Sequence, residues 1–159
     1  MGVAIAYLLI TAMYVVGAAG QNMWEMSKTK TELQQELRKG MDWMIFELRQ
    51  AGNLSIQNVP ANGTWYTTIT FQVPSGVTAG TLTWNSNTIQ FLKGGSGSNQ
   101  LLRISGGNTK ILGQYFQSLQ FRRQSATPDI LEVAMQAQKN TDRGRQVNYQ
   151  LNFNVELRN

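Results

Sequence analysis

The 159-residue chain contains neither cysteine nor histidine. The missing cysteine excludes disulfides and thiolate metal sites, and the missing histidine removes the commonest general base and metal ligand near neutral pH. The sequence also contains no phosphate-binding loop and no dinucleotide-binding glycine pattern. It therefore predicts a protein that is not an enzyme, with no catalytic residue, no metal site and no cofactor.

Proline is scarce as well, and the first of its 3 copies is Pro60. Because proline interrupts helices, the N-terminal part of the chain is free to form one long helix. It opens with an uncharged apolar run, residues 3–20 (VAIAYLLITAMYVVGAAG). As a helix this run is about 27 Å long, close to the hydrocarbon thickness of a bilayer, about 30 Å. We predict that residues 1–22 form an apolar segment that lies in a membrane or in the core of an assembly.

The apolar run allows three other interpretations. A cleaved secretory signal peptide is disfavoured because no basic residue precedes the run. A core helix of a soluble protein is disfavoured because the run has no polar face. A single-pass anchor that never assembles stays open as an alternative.

Residues 23–52 continue the helix with a different pattern. Apolar side chains recur every three or four residues, which places them on one helix face. They are Leu33, Leu37, Met41, Met44 and Leu48. Trp43, Ile45 and Phe46 are expected to widen this face, and Gly52 stands where a glycine commonly ends a helix. The pattern predicts an amphipathic helix that packs on its own domain.

From residue 53 the pattern changes to the alternation of β-strands. Strands are predicted at 64–73, 81–84, 88–93, 101–105, 110–112, 115–123, 131–138 and 146–157, with hairpin turns at 85–87 and 106–108. The last strand alternates most regularly, and its apolar face carries Val147, Tyr149, Leu151, Phe153 and Val155. We therefore predict an α+β fold. A long N-terminal helix packs, through its amphipathic second half, against an antiparallel sheet within residues 53–159.

This order of elements resembles the type IV pilin and type II secretion pseudopilin superfamily, most closely its minor-pilin and J-type pseudopilin-like branch. Residues 31–52 (TELQQELRKGMDWMIFELRQAG) are similar to the end of that branch's helix. Residues 148–159 (NYQLNFNVELRN) are similar to its last strand, and residues 80–91 and 113–121 to its middle strands. The family's basic leader and Phe-Thr-Leu-x-Glu-like start have no counterpart in this sequence. The resemblance implies that the sequence begins about seven residues inside the mature, processed helix.

The resemblance implies a structural filament subunit. Before assembly its apolar helix would lie in the inner membrane, and afterwards in the core of an extracellular or periplasmic filament. The implied partners are other copies of the chain or other pilin-like subunits, a prepilin peptidase and an assembly machinery. The side chains expected to contact neighbouring helices are Leu8, Leu9, Ile10, Met13, Tyr14 and Val15.

The basic surplus of the chain raises a second class of function, nucleic-acid binding. Some members of the pilin family take up DNA. The candidate phosphate contacts are Arg122, Arg123, Arg143 and Arg145. The predicted hairpin of strands 115–123 and 131–138 places the first two at one end and the last two at the other, so we expect weak DNA binding. The alternative function is thus a membrane-anchored module that binds carbohydrate or DNA without polymerising, with Trp65, Tyr66 and Trp84 as candidate stacking residues.

Overall fold

The computed structural model describes residues 2–158, with the side chains of all of these except residues 2, 3 and 54. One α-helix, α1 (Gly2–Leu48), passes through the apolar and the amphipathic parts without a break. The prediction of a single long helix is therefore confirmed, and the physical reason is the absence of proline together with continuous helix-forming residues.

The end of α1 differs from the prediction. The N–H of Ala51 donates to the carbonyl oxygen of Leu48 at 3.0 Å, and this bond closes the last turn. Gly52 follows with an extended backbone (φ −80°, ψ 152°) and begins a short 3-10 turn, Asn53–Ser55. The expected role of Gly52 as the glycine that caps the helix is wrong, because that role requires a left-handed conformation.

Beyond the helix, the described part of the chain is built of nine strands and short turns. They are β1 (Thr68–Phe71), β2 (Pro74–Thr78), β3 (Thr81–Trp84), β4 (Ile89–Gly94), β5 (Gln100–Ser105), β6 (Asn108–Gly113), β7 (Phe116–Arg123), β8 (Ile130–Asn140) and β9 (Gln146–Glu156). Residues 53–158 are called the head below.

The strands form a 4-stranded sheet in the order β1-β4-β5-β6, a 3-stranded sheet in the order β7-β8-β9 and the separate hairpin β2-β3. All of these pairs are antiparallel. The helix α1 contacts β6, β8 and β9. The predicted α+β fold, a long helix packed against antiparallel sheet, is confirmed, although the sheet is divided.

One predicted hairpin is wrong. Strands 81–84 and 88–93 were expected to pair across the turn at 85–87, but β3 pairs with β2, and β4 lies between β1 and β5. The apolar side chains decide this pairing. Phe91 of β4 is buried and its ring centroid lies 5.8 Å from that of Phe71 in β1. The hairpin of β5 and β6 is confirmed, with Gly106 and Gly107 at positive φ in its turn.

The core lies where the second half of α1 meets the two larger sheets. The predicted core positions that are buried are Leu33, Leu37, Met44, Leu48, Val147 and Val155. The remaining ones, Met41, Tyr149, Leu151 and Phe153, are partly buried and pack against this core. β9 is an edge strand, which leaves the middle of its apolar face less covered. Phe46 is 65% exposed and Trp43 37% exposed, so their expected place on the packed face is wrong, whereas Ile45 packs against the core.

Candidate assembly helix and its junction with the head

The apolar run projects from the head as bare helix. Its six predicted contact residues, Leu8, Leu9, Ile10, Met13, Tyr14 and Val15, are between 59% and 77% exposed. The most apolar window of α1 is 0% buried, and the helix is long and apolar enough to cross a membrane. A large apolar surface of this kind is unfavourable in water and needs a bilayer or other apolar helices around it.

The head meets the helix directly after the apolar run. Arg143, in the loop between β8 and β9, donates from Nη2 to Oε1 of Gln21 at 2.6 Å and from Nη1 to Oδ1 of Asn22 at 2.8 Å. Its Nε also lies 3.2 Å from Oε1 of Glu25. This guanidinium therefore fixes the base of the head to the first polar turn of α1.

A second ion pair lies two turns further along the helix. Nζ of Lys139 in β8 donates to Oε2 of Glu32 at 2.6 Å and lies 4.7 Å from the ring centroid of Tyr115. The hydrogen bond between the two side chains lowers the pKa of Glu32 and raises the pKa of Lys139. Both groups are charged near neutral pH, so an ion pair links helix and head at this level.

Two further acidic residues of α1 form a row with Glu25 and Glu32 along the helix. Oε2 of Glu36 accepts a hydrogen bond from the backbone N–H of Gln114 at 2.9 Å. Glu47 is buried, and the Nε–H of Arg103 donates to both of its carboxylate oxygens, at 2.7 Å to Oε1 and 2.9 Å to Oε2. Four carboxylates of α1 thus bind four separate parts of the head.

Sequence reasoning missed this row, although its signal is visible. Glu25, Glu32, Glu36 and Glu47 follow one another at intervals of 7, 4 and 11 residues. Each interval is close to a whole number of helical turns, so the four carboxylates share one helix face. The row borders the apolar face and sets the position of the head along and around α1.

The structure does not bring the four candidate DNA-binding arginines together. Arg122 pairs with Glu132 (Nη2 to Oε2, 2.5 Å) and its guanidinium lies 4.3 Å from the ring centroid of Trp65. Arg123 is buried and donates to the carbonyl oxygens of Pro128 and Val59 and to the side chain of Asn53. Burial lowers the pKa of Arg123. Its guanidinium joins the connection between α1 and β1 to the loop between β7 and β8, and it is not presented to a phosphate.

The other two arginines lie in the loop between β8 and β9, at the opposite end of the β7–β8 hairpin. Arg143 is occupied by α1, as described above. Arg145 is exposed, and its Nη1 lies 4.0 Å from Sδ of Met26. Weak DNA binding through these residues stays a prediction.

The candidate stacking aromatics have separate environments. Trp65 is covered by Arg122, and the hydroxyl oxygen of Tyr66 accepts a hydrogen bond from Asn62 at 2.8 Å. Trp84 packs against Gly52 on the turn after α1. The three rings therefore do not present one continuous platform for a sugar or a base.

Within residues 2–158, no group of three or more acidic side chains is close enough to hold a metal ion. Comparison of the chain with family models, with curated proteins and with solved structures finds no match. The functional proposal therefore depends on the geometry of the chain itself.

Proposed function

We propose that this chain is a non-enzymatic structural subunit of a filament resembling a type IV pilus or a type II secretion pseudopilus. Its apolar run would be the assembly element, held in the inner membrane before assembly and in the filament core afterwards. The single observation that supports this proposal is the contrast along α1. The head covers one face of the second half, whereas the first half is exposed on all sides.

The energetics of the apolar run fit a subunit that exchanges one apolar environment for another. Burying a large aliphatic side chain is worth about 1.5–3 kcal/mol. The six exposed residues Leu8, Leu9, Ile10, Met13, Tyr14 and Val15 together would contribute about 10 kcal/mol against water. Lipid chains and neighbouring helices remove this surface from water equally well, so transfer between them costs little hydrophobic energy.

The firm junction between helix and head also supports the proposal. Because Glu25, Glu32, Glu36 and Glu47 bind the head at four levels along α1, helix and head would move as one rigid unit during assembly. The proposed partners are further copies or other pilin-like subunits packed through their apolar helices. By family resemblance they also include a prepilin peptidase and an assembly machinery. The filament would be extracellular or periplasmic.

The test is Leu9→Asp in the full chain. A charge among packed apolar helices is costly, so we expect the variant to keep a folded head and to be lost from filaments. Leu9→Ile is the matched control, because it keeps the volume and polarity of the position, and it should assemble normally. Filament yield is measured by shearing and immunoblotting, and folding of the head by circular dichroism.

Normal filament yield from Leu9→Asp would refute assembly through this helix. The rival function, a membrane-anchored binding module that does not polymerise, predicts a different result. In that case neither the parent chain nor Leu9→Ile would be found in filaments, although both would fractionate with the membrane.

A further inference from the structure

The loop that joins β8 and β9 lies at the level of α1 where a bilayer would end. Arg143 in this loop contacts Gln21 and Glu25, directly after the apolar run. The helix rises about 7 Å from residue 20 to residue 25. Lipid head groups form a layer of about 5–8 Å on each side of the hydrocarbon core. When the apolar run occupies the hydrocarbon, the loop therefore lies within the head-group layer.

The side chains at this level are those that favour a membrane interface. Trp24 is 66% exposed. The backbone of Lys28 lies about 12 Å beyond residue 20, but its side chain reaches back towards the layer, so that Nζ lies 5.6 Å from the centroid of the Trp24 ring. Arg145 is exposed beside Met26. Tryptophan, lysine and arginine are enriched at the ends of membrane-spanning helices, where an apolar body and a polar head each find a matching environment.

Positive charge is in excess at this level. The cations are Lys28, Arg143 and Arg145, and the carboxylates are Glu25 and Asp142. Glu25 is paired with Arg143, and Glu32, which lies near Lys28, is paired with Lys139. Lys28 and Arg145 are then opposed by Asp142. Among the described residues at this level, Arg145 and Lys28 therefore offer guanidinium and ammonium groups to an outside anion.

These cations lie on two flanks of the contact between α1 and the head. Arg145 lies beside Met26, and Lys28 is two residues further along, about 200° around the helix. Lys28 also lines, with Glu25 and Asp142, the concave surface where α1 meets the end of β8. The two flanks adjoin the apolar run, so an inserted run brings both of them to lipid head groups, whereas a nucleic-acid duplex approaches from one side. The arrangement therefore favours lipid over DNA as the anionic partner.

We propose that Trp24, Lys28, Arg143 and Arg145 form a collar that binds phospholipid head groups, with Lys28 and Arg145 on the phosphates of anionic lipids. The inference rests on the proposed insertion of the apolar run into a membrane and adds a lipid partner to it. The collar would hold the head upright on the bilayer before assembly. It would release the lipids when the subunit leaves the membrane.

The test measures lipid preference around the full chain in vesicles. Spin-labelled phosphatidylglycerol and spin-labelled phosphatidylcholine are compared, and electron paramagnetic resonance gives their relative association constant with the protein. We expect phosphatidylglycerol to be preferred. Arg145→Gln should lower the preference about fivefold, the factor for one cation at a lipid surface. Arg145→Lys keeps the charge and should keep the preference.

Lys110→Gln is the matched control. Lys110 is also an exposed cation beside a tryptophan, since its Nζ lies 3.9 Å from the ring centroid of Trp43. Trp43 is about 35 Å beyond residue 20 along α1, far outside the head-group layer. The same loss of one charge there should leave the lipid preference unchanged.

The outcomes separate this inference from the proposed function. Extraction of the chain from vesicles by alkaline carbonate would refute membrane insertion, and the collar with it. Retention in the vesicles with equal association of both lipids, or with the same preference in Arg145→Gln, would refute the collar alone. Binding of duplex DNA by the chain in neutral vesicles, lost in Arg145→Gln without any lipid preference, would assign this surface to nucleic acid instead.

Discussion

Gly52→Ala tests how closely the turn after α1 packs against the β2–β3 hairpin. A Cβ atom at residue 52 would overlap Cη2 of Trp84 and lie 2.8 Å from Cζ2 of the same ring. The backbone of residue 52 is extended, so alanine is compatible with its conformation. The clash with the indole is therefore the dominant effect of the substitution.

The magnitude follows from two opposing effects. Overpacking a close contact costs about 1–3 kcal/mol. Alanine in place of glycine restores about 0.4–1 kcal/mol, because it restricts the unfolded chain. We expect Gly52→Ala to lower the free energy of unfolding by about 1–2 kcal/mol. With a urea m-value of about 2 kcal/mol per molar, the midpoint would fall by about 0.5–1 M.

The assay is urea unfolding of a chain that begins at residue 21 and therefore lacks the apolar run. Gly76→Ala in β2 is the control, since its Cβ would lie 3.8 Å from Oγ1 of Thr83, an ordinary contact. That variant should stay within about 0.5 kcal/mol of the parent. In a Trp84→Leu background, Gly52→Ala should lose its cost. An equal cost in both backgrounds would refute the steric explanation.

Two further predictions concern the core and the ion pairs. Phe153→Ala should lower the free energy of unfolding in urea by about 2 kcal/mol and Phe121→Ala by about 3–5 kcal/mol. The difference is expected because Phe153 is partly buried and Phe121 fully buried. Equal costs would mean that the edge strand β9 is as well covered as β7. The pKa values of Glu32 and Glu132 are lowered from 4.5, mainly by hydrogen bonds from Lys139 and Arg122 respectively. The two ion pairs therefore stabilise the folded state fully above pH 4.5, and this stabilisation is lost as the pH falls through the lowered pKa values. The urea midpoint should fall between pH 5 and pH 3, and Glu32→Gln with Glu132→Gln should flatten this fall; an unchanged profile in the double variant would contradict the assignment.

The helix and most strands could be predicted because the spacing of apolar residues governs which face is buried. Leu33, Leu37 and Leu48 illustrate this for α1, and Val147 and Val155 for β9. The pairing of β3 could not be predicted, because the polar turn at residues 85–87 carries a local signal while pairing depends on distant partners. Phe91 finds Phe71 in β1, and β3 is left to pair with β2.

The candidate site was predicted in part for similar reasons. The uncharged run over residues 3–20 is visible in the sequence, and its exposure follows from its lack of a polar face. The burial of Arg123 was not predictable, because its acceptors on Asn53, Val59 and Pro128 come from loops that only the fold brings together. The glycine at residue 52 predicts a helix cap. The sequence does not show that the ring of Trp84 packs against this residue, which is the contact that requires a glycine here.

The central claim is that the apolar run contacts the helices of neighbouring subunits. The most direct measurement places a photoreactive benzophenone residue at Met13, which is 76% exposed, and identifies the cross-linked partner by mass spectrometry after illumination of assembling cells. The same residue at Ser125, exposed on the head at the far end of the β7–β8 hairpin, is the control. Assembly through the helix predicts adducts from residue 13 to the apolar run of another copy or of another pilin-like subunit. Adducts from residue 13 to lipid alone, with no protein partner, would contradict it.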